Sequence, residues 1–512
     1  MKYLFWGAAL VLAACGPTVP NNPGDDDGGT GNDASNLIDK DGDGYPESVD
    51  CNDNDPNIHP GAPEICDDSV DNNCDGFVDG NDLECLDPCV RAEREQSYFG
   101  CTFYAADLPQ FSTDKIFGVS LSNPSNLDAA TVTLTTSTGV LATLTVPPRG
   151  VATYEDPPPR DLNIPGAGIH NLAIKIESDI PVAAYQFNSL DTISAASTDA
   201  SMLFAEHNLA KLYYVMDYQS RAANDSFVAI YATKPNTNVQ VVAPVAVTGA
   251  TTATLQPFQV MVVTAAAGNT SLTGTQIIAS EEVGVFGGNA CANVPYGMLY
   301  CDHLEQQIFP RQAIGTRYIV GKSHARVACQ PVDHVRVMAD QDGTVVTFDP
   351  PTVGPWSLNA GQWMETTIAQ STEITSNKAV LVGQFLRSSN NQECNSEGDP
   401  AFMLQVPVDQ YRRDYIFLTP PTYQTDYVDI VAPTGAIVTL DGATVPLSTT
   451  PVGATGFSLT SVVVQDGGHV LESNQPVGVM VYGFGGPSGT GTVNVSYGYP
   501  AGLNLNPINP VE

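Results

Sequence analysis

Two acidic twelve-residue stretches carry the sharpest chemistry in this 512-residue chain. The first runs Asp39-Lys40-Asp41-Gly42-Asp43-Gly44-Tyr45-Pro46-Glu47-Ser48-Val49-Asp50. The second runs Asp71-Asn72-Asn73-Cys74-Asp75-Gly76-Phe77-Val78-Asp79-Gly80-Asn81-Asp82. Both fit D-x-[DN]-x-[DN]-G, with acidic residues again at loop positions 9 and 12. Calcium, a hard cation, takes about 6 to 8 oxygen ligands at roughly 2.3–2.6 Å, and a loop of this spacing can wrap them around one point. Side-chain oxygens of Asp39, Asp41 and Asp43, and of Asp71, Asn73 and Asp75, would face the ion from positions 1, 3 and 5. Gly44 and Gly76 permit the sharp turn at position 6. The carbonyls of Tyr45 and Phe77 point inward at position 7, and Glu47 with Asp50, and Asp79 with Asp82, complete each set. Carboxylates packed this densely repel one another unless a cation neutralises them, so Ca2+ is the expected cofactor and would order the segment. A solvated acidic linker is the competing reading.

Position 12 is Asp rather than Glu, which makes bidentate ligation harder, and no amphipathic helix flanks either loop, so these are not EF-hand pairs. D-C-x-D (Asp50 to Asp53), P-G-A-x-E (Pro60 to Glu64) and D-N-N-C-D-G (Asp71 to Gly76) follow in order. That run resembles the metal-binding motif named after the copper-binding surface protein MopE. It is also similar to thrombospondin type 3 repeats, where calcium and disulfides replace a hydrophobic core. Copper is the weaker inference: the segment offers one imidazole, His59, no methionine, and otherwise hard oxygens.

What positions these loops begins at the N-terminus. Lys2, the apolar run Tyr3–Val11 and Leu12-Ala13-Ala14-Cys15 resemble the signal peptide and lipobox of bacterial lipoproteins, too short for a transmembrane span of about 20 residues. The resemblance implies cleavage after residue 14, diacylation of Cys15 and membrane attachment through that lipid alone. Gly16 in place of Asp implies outer-membrane sorting to the surface of a Gram-negative cell. Residues 16–38 read as a disordered acidic tether, and residues 39–88 as the metal-binding region. Net charge is −36, and residues 17–90 hold 17 Asp and 3 Glu against one Lys. Such a surface repels nucleic acid and anionic lipid head groups. Besides Cys15, ten cysteines remain: Cys51, Cys66, Cys74, Cys85, Cys89, Cys101, Cys291, Cys301, Cys329 and Cys394. An even number in an exported chain implies disulfides, and no CxxC pair supports zinc. Their connectivity is open, except that Cys291 and Cys301 bracket a natural short loop.

From about Cys89 to residue 505 the composition turns to Val, Thr, Ala, Gly and Pro, with strand-like alternation between turns. The sequence repeats itself at a period near 100 residues. Aromatic strands (Phe103, Tyr213, Tyr318, Tyr415) open the units, and a Ser-then-Val pattern closes them (Ser178/Val182, Ser280/Val283, Ser376/Val380, Ser473/Val477). An aromatic-glycine strand follows that pattern. The expected fold is all-β: four tandem repeats of about 100 residues (about 101–205, 206–310, 311–408 and 409–505), each β-sandwich-like, after a small loop-rich module stabilised by disulfides and calcium. A propeller-like closed ring is the alternative.

Four segments carry a further resemblance: Ser97-Tyr-Phe-Gly-Cys101, Val285-Phe-Gly-Gly-Asn-Ala-Cys-Ala-Asn-Val-Pro295, Cys301-Asp-His-Leu-Glu-Gln306 and Ser496-Tyr-Gly-Tyr-Pro-Ala-Gly502. They make residues 89–505 similar to the N-terminal domain of the IgGFc-binding protein family. The resemblance implies a non-catalytic extracellular recognition module whose partner is a protein or glycan; antibody binding does not follow from it. Neither a G-x-S-x-G elbow nor an H-E-x-x-H helix occurs among the seven histidines. Cys301-Asp302-His303 is the one cluster that mimics a thiol–imidazole pair, and a disulfide-bonded Cys301 would remove it. The expectation is therefore no enzyme, with a secreted polysaccharide- or peptide-directed hydrolase and a purely structural envelope protein as alternatives. The Asn289–Pro295 loop is a candidate ligand face on rigidity, or a brace between modules.

Overall fold

The computed structural model describes residues 38–111, 116–156, 162–190, 197–298, 300–326, 332–389, 397–421, 423–486 and 495–511. Residues 1–37, where the signal segment with Cys15 and the tether are expected, and Cys329 and Cys394 lie outside the described residues. The chain divides into two compact units, 1–86 and 87–512.

The described part of the first unit has almost no regular structure, only a 3-10 turn at Asp79–Asn81. Its buried apolar side chains are Ile58 and Ala62. Two such side chains cannot offset the conformational entropy of some fifty residues, each costing about 1–2 kcal/mol to order. Cross-links take over: Cys51 is bonded to Cys74 and Cys66 to Cys85, across 23 and 19 residues. Loops of that length are worth roughly 3 kcal/mol apiece in the chain-entropy account. The Glu64 carboxylate adds a clasp, accepting the Asn72 N–H at 2.9 Å and the Asn73 N–H at 3.4 Å.

The second unit is all-β: four antiparallel sheets in tandem, whose strands run from residues 100, 210, 315 and 412. Each sheet is organised on one long strand: Ile174–Asn188, Gln276–Ala292, Thr372–Phe385 and Gly467–Phe484. The first half of a long strand pairs with the opening aromatic strand, the second half with different partners. One strand thereby serves two half-sheets, curling the sheet into a half-barrel with a sandwich-like interior. The Ser-then-Val pattern marks the bend rather than the end of a unit. The ladder slips there in all four repeats, a bulge that lets one strand change direction. Ser178 and Ser376 turn their hydroxyls back onto the carbonyls two residues on, at 2.6 and 2.7 Å. The bend valine is gripped by the opening aromatic: Tyr213, Tyr318 and Tyr415 donate to the carbonyls of Val283, Val380 and Val477 at 2.8, 2.5 and 2.5 Å.

The sheets do not join into a closed propeller-like ring; their ladders stay separate. One strand is exchanged, since Gly168–His170 pairs with Val260–Val262 of the second sheet. The sheets are gathered at their closing strands Asp199–Leu203, Asp302–Gln307, Phe402–Leu404 and Ser496–Pro500. Five residues beyond each bend valine, the long strands pair with Ala200, Glu305, Phe402 and Gly498. The N–H groups of these four equivalent residues converge on the single carboxylate of Asp199, at 2.9, 3.1, 3.1 and 3.2 Å. Their carbonyls face the Gln306 amide, which donates to Ala200, Phe402 and Gly498 at 2.7, 2.7 and 2.9 Å. Two residues earlier in each strand, Asp302 accepts the N–H groups of Thr198, His303 and Ser496. The equivalent in the third repeat is Pro400, which has no N–H to offer. Backbone groups that face one another across the four repeats, too far apart for a ladder, are thus satisfied by side chains present in single copy.

Candidate metal centre

Both acidic loops fold by the same local rule. The carboxylate at position 1 reaches across to the N–H at position 6: Asp39 to Gly44 at 3.0 Å, Asp71 to Gly76 at 2.9 Å. Side chains at positions 3 and 5 each accept the N–H two residues ahead: Asp41 from Asp43 and Asp43 from Tyr45 at 3.3 and 2.8 Å, Asn73 from Asp75 and Asp75 from Phe77 at 3.0 and 2.9 Å. Asp and Asn are suited to such local turns. Gly44 and Gly76 take φ of +101° and +95°, a conformation open to glycine at little cost.

Beyond this shared frame the loops differ. In the first, ligand oxygens of Asp39, Asp41 and Asp43 lie within 4.8 Å of one another, and so do those of Asp41, Asp50 and Asp53. Burial pushes the Asp41 carboxyl up, and the charges of Asp43, Asp50 and Asp39 add to the effect. Glu47, expected as the position-9 ligand, instead lies on the exposed side with its carboxylate 3.4 Å from the Lys40 ammonium. Asp53 joins the cluster in its stead. Its Oδ2 lies 3.0 Å from the Lys40 ammonium and its Oδ1 accepts the Lys40 N–H at 3.1 Å. Burial works against the Asp53 charge, but the two Lys40 contacts outweigh it and hold the carboxyl low. The twelve-residue template stops three residues short of Asp53 and misses it; the D-C-x-D run that contains it is the signal that could have found it. In the second loop Asp79 accepts the Ser69 N–H at 3.1 Å, and the buried Asp82 accepts the Asn73 side-chain N–H at 3.0 Å.

The first cluster passes a test of fit for a hard cation. Oδ2 of Asp41, of Asp43 and of Asp50 is buried with no hydrogen-bond partner, and Asp50 is only 7% exposed. A buried carboxylate oxygen left unpaired is costly, and a cation bound there would remove the cost. The donors gathered here are hard oxygens. Cys51 and Cys74 lie beside Asp50 but are spent in their disulfide, and His59 is stacked on Tyr45 at 4.8 Å between ring centroids.

The remaining candidates lie in the second unit. Cys301 is disulfide-bonded to Cys291, and Cys89 to Cys101. Asp302, His303 and Glu305 are completely buried. Asp302 holds backbone N–H groups as described, and burial drives the His303 imidazole down to about 3, so it stays neutral. Asp302 and His303 are thus sealed in the core, and the disulfide takes the thiol of the half-buried Cys301. The loop from Asn289 braces its neighbour: Val294 and Ser388 exchange hydrogen bonds at 2.9 and 2.7 Å, and Tyr296 and Tyr300 are exposed at its tip.

A sequence profile described as IgGFc binding protein matches residues 199–483, more than half of the chain, starting at the residue on which the four closing strands converge. The chain belongs to the IgGFc-binding protein family. Human (Homo sapiens) IgGFc-binding protein is 24% identical over 266 residues, which are 51% of this chain and 5% of that protein's length. The matched span holds the second and third sheets and most of the fourth, so the family signature is that of the β-repeat unit. A separate metal-binding motif, of the MopE type, matches residues 50–80; it includes Asp50 and Asp53 and the second loop as far as Gly80, and leaves Asp39, Asp41 and Asp43 upstream.

Proposed function

We propose that this protein is an extracellular recognition protein of the cell envelope, in which the IgGFc-binding-type β-repeat unit takes a protein or glycan ligand. The family match over more than half of the chain carries this reading. The human relative's name supports a protein ligand as the first class to try, although the shared region is a small part of that protein. Calcium is the ion proposed for the acidic unit, because the donors are carboxylates without thiolate or imidazole. Calcium would supply positive charge; Asp39, Asp41, Asp43, Asp50 and Asp53 would hold it, and their mutual repulsion would vanish on binding. The lipobox-like Leu12-Ala13-Ala14-Cys15 supports attachment to the outer membrane through a diacylated Cys15.

The test is surface plasmon resonance with the full mature chain in calcium, against purified IgG Fc, mucin-type glycoproteins and a glycan array. Saturable binding to any of these supports recognition. Absence of binding together with turnover of a polysaccharide or peptide pool would replace the reading with the hydrolase alternative.

A further inference from the structure

We infer that the two acidic loops are unequal: the first, completed by Asp50 and Asp53, is a single-cation site, and the second is a self-satisfied bracket that takes no ion. This rests on the metal reading proposed above and replaces the two ions that the paired loops suggest in sequence with one.

The first loop has both the oxygens and the vacancy in their bonding. Oδ2 of Asp41, Asp43 and Asp50 have no hydrogen-bond partner, although Asp50 is more than nine-tenths buried. Asp41 belongs to both oxygen triads, so five carboxylates share one neighbourhood. Two oxygens on opposite sides of a calcium ion at roughly 2.4 Å stand about 4.8 Å apart. Oxygens no farther apart than that can share one coordination sphere, and each triad lies within this limit.

The second loop has the same frame but its charges are answered from within. Asn73 stands where the first loop has Asp41. Its oxygen accepts the Asp75 N–H at 3.0 Å, which fixes the orientation of the amide, and its NH2 therefore points at Asp82, donating at 3.0 Å. The other Asp82 oxygen accepts the Glu84 N–H at 2.6 Å, and Asp79 is taken by Ser69. Among the described residues, no side-chain oxygen of the second loop is left buried and unpaired. The amide of Asn73 supplies the positive pole that a cation would supply. Its work is to hold Cys74, and through the Cys51–Cys74 disulfide the position of Asp50 beside its partner oxygens.

The decisive experiment is calorimetric titration of calcium chloride into the chelator-stripped full mature chain, with the paired substitutions Asp50→Asn/Asp53→Asn and Asp71→Asn/Asp75→Asn measured alongside. One calcium per chain is expected. The first pair should weaken binding by roughly tenfold or more, and the second pair should change it less than about threefold. Two sites of similar affinity in the unsubstituted chain overturn the inequality and leave the metal reading standing. No calcium bound at all overturns both. The count in the unsubstituted chain stays decisive even if a variant misfolds.

Discussion

Substituting Asp199 should unpin the four repeats, and the size of the effect follows from its hydrogen bonds. Its carboxylate accepts the N–H groups of Ala200, Glu305, Phe402 and Gly498, and three of these come from other repeats. In Asp199→Ala all four N–H groups lose their carboxylate acceptor while buried. At about 1–3 kcal/mol for each orphaned donor, the loss is roughly 4–12 kcal/mol, against a typical domain stability of about 5–15 kcal/mol. Asp199→Asn is more telling because it preserves shape. Oδ1 serves Ala200 and Gly498, and Oδ2 serves Glu305 and Phe402, so whichever side receives the NH2 meets two donors. The cost is then about 2–6 kcal/mol by the same rule. An opposing effect makes the test sharp. Burial pushes the Asp199 carboxyl well above its ordinary range, and removing a buried charge can be neutral or stabilising. Guanidinium unfolding followed by near-ultraviolet circular dichroism decides between them. The expected order is native, then Asn, then Ala, with formate partly restoring the Ala variant by supplying a carboxylate to the same N–H groups. An Asn variant as stable as the native chain would refute the claim that these hydrogen bonds outweigh the burial of charge.

Stripping calcium from the full chain should raise protease cleavage within residues 39–86 while the β-repeat unit stays intact; an unchanged digestion pattern in chelator would sink the cation-ordered reading. Asn73→Asp should place a carboxylate against the buried Asp82, making the second loop unstable in chelator and giving calorimetry a second calcium site. Asp107, Asp426 and Asp429 are each pushed up to about 7, chiefly by burial, from an ordinary 3.8. A carboxyl raised on folding stabilises below its unfolded value and loses that contribution as pH rises through its folded one. His303, pushed down to about 3, works the other way below its ordinary 6.5 but is outnumbered. In saturating calcium, Tm of the β-repeat unit should therefore fall between pH 5 and pH 8 and the fall should flatten in Asp429→Asn; a Tm that rises over that interval contradicts the argument.

Much of this protein is local and can be read along the chain. The acidic loops owe their shape to bonds between residues two to five positions apart, so Asp39, Gly44, Asp71 and Gly76 announce their turns by spacing. The fourfold recurrence of an aromatic strand, a Ser-then-Val pattern and a following strand made four β-repeats legible, and the resemblance to IgGFc-binding proteins rests on short contiguous segments. Charge and composition likewise belong to the chain itself and argue against nucleic acid as a partner.

What the chain could not reveal depends on residues far apart in it. The Ser-then-Val pattern looks like a boundary, but long-range pairing on both sides of it makes one bent strand. Glu47 fits a twelve-residue template, yet Lys40 draws it outward and Asp53 joins the cluster from beyond the template's end. Asp302 and His303 look like chemistry in sequence and are structural once buried. Asp199 and Gln306 carry no repeat signature at all, because one copy of each serves four repeats. Asp199 accepts from residues up to 299 positions away. Local spacing determines which turns and strands this chain forms; which polar groups end up buried together, and so which must satisfy one another, is decided only when the four closing strands meet and exclude water.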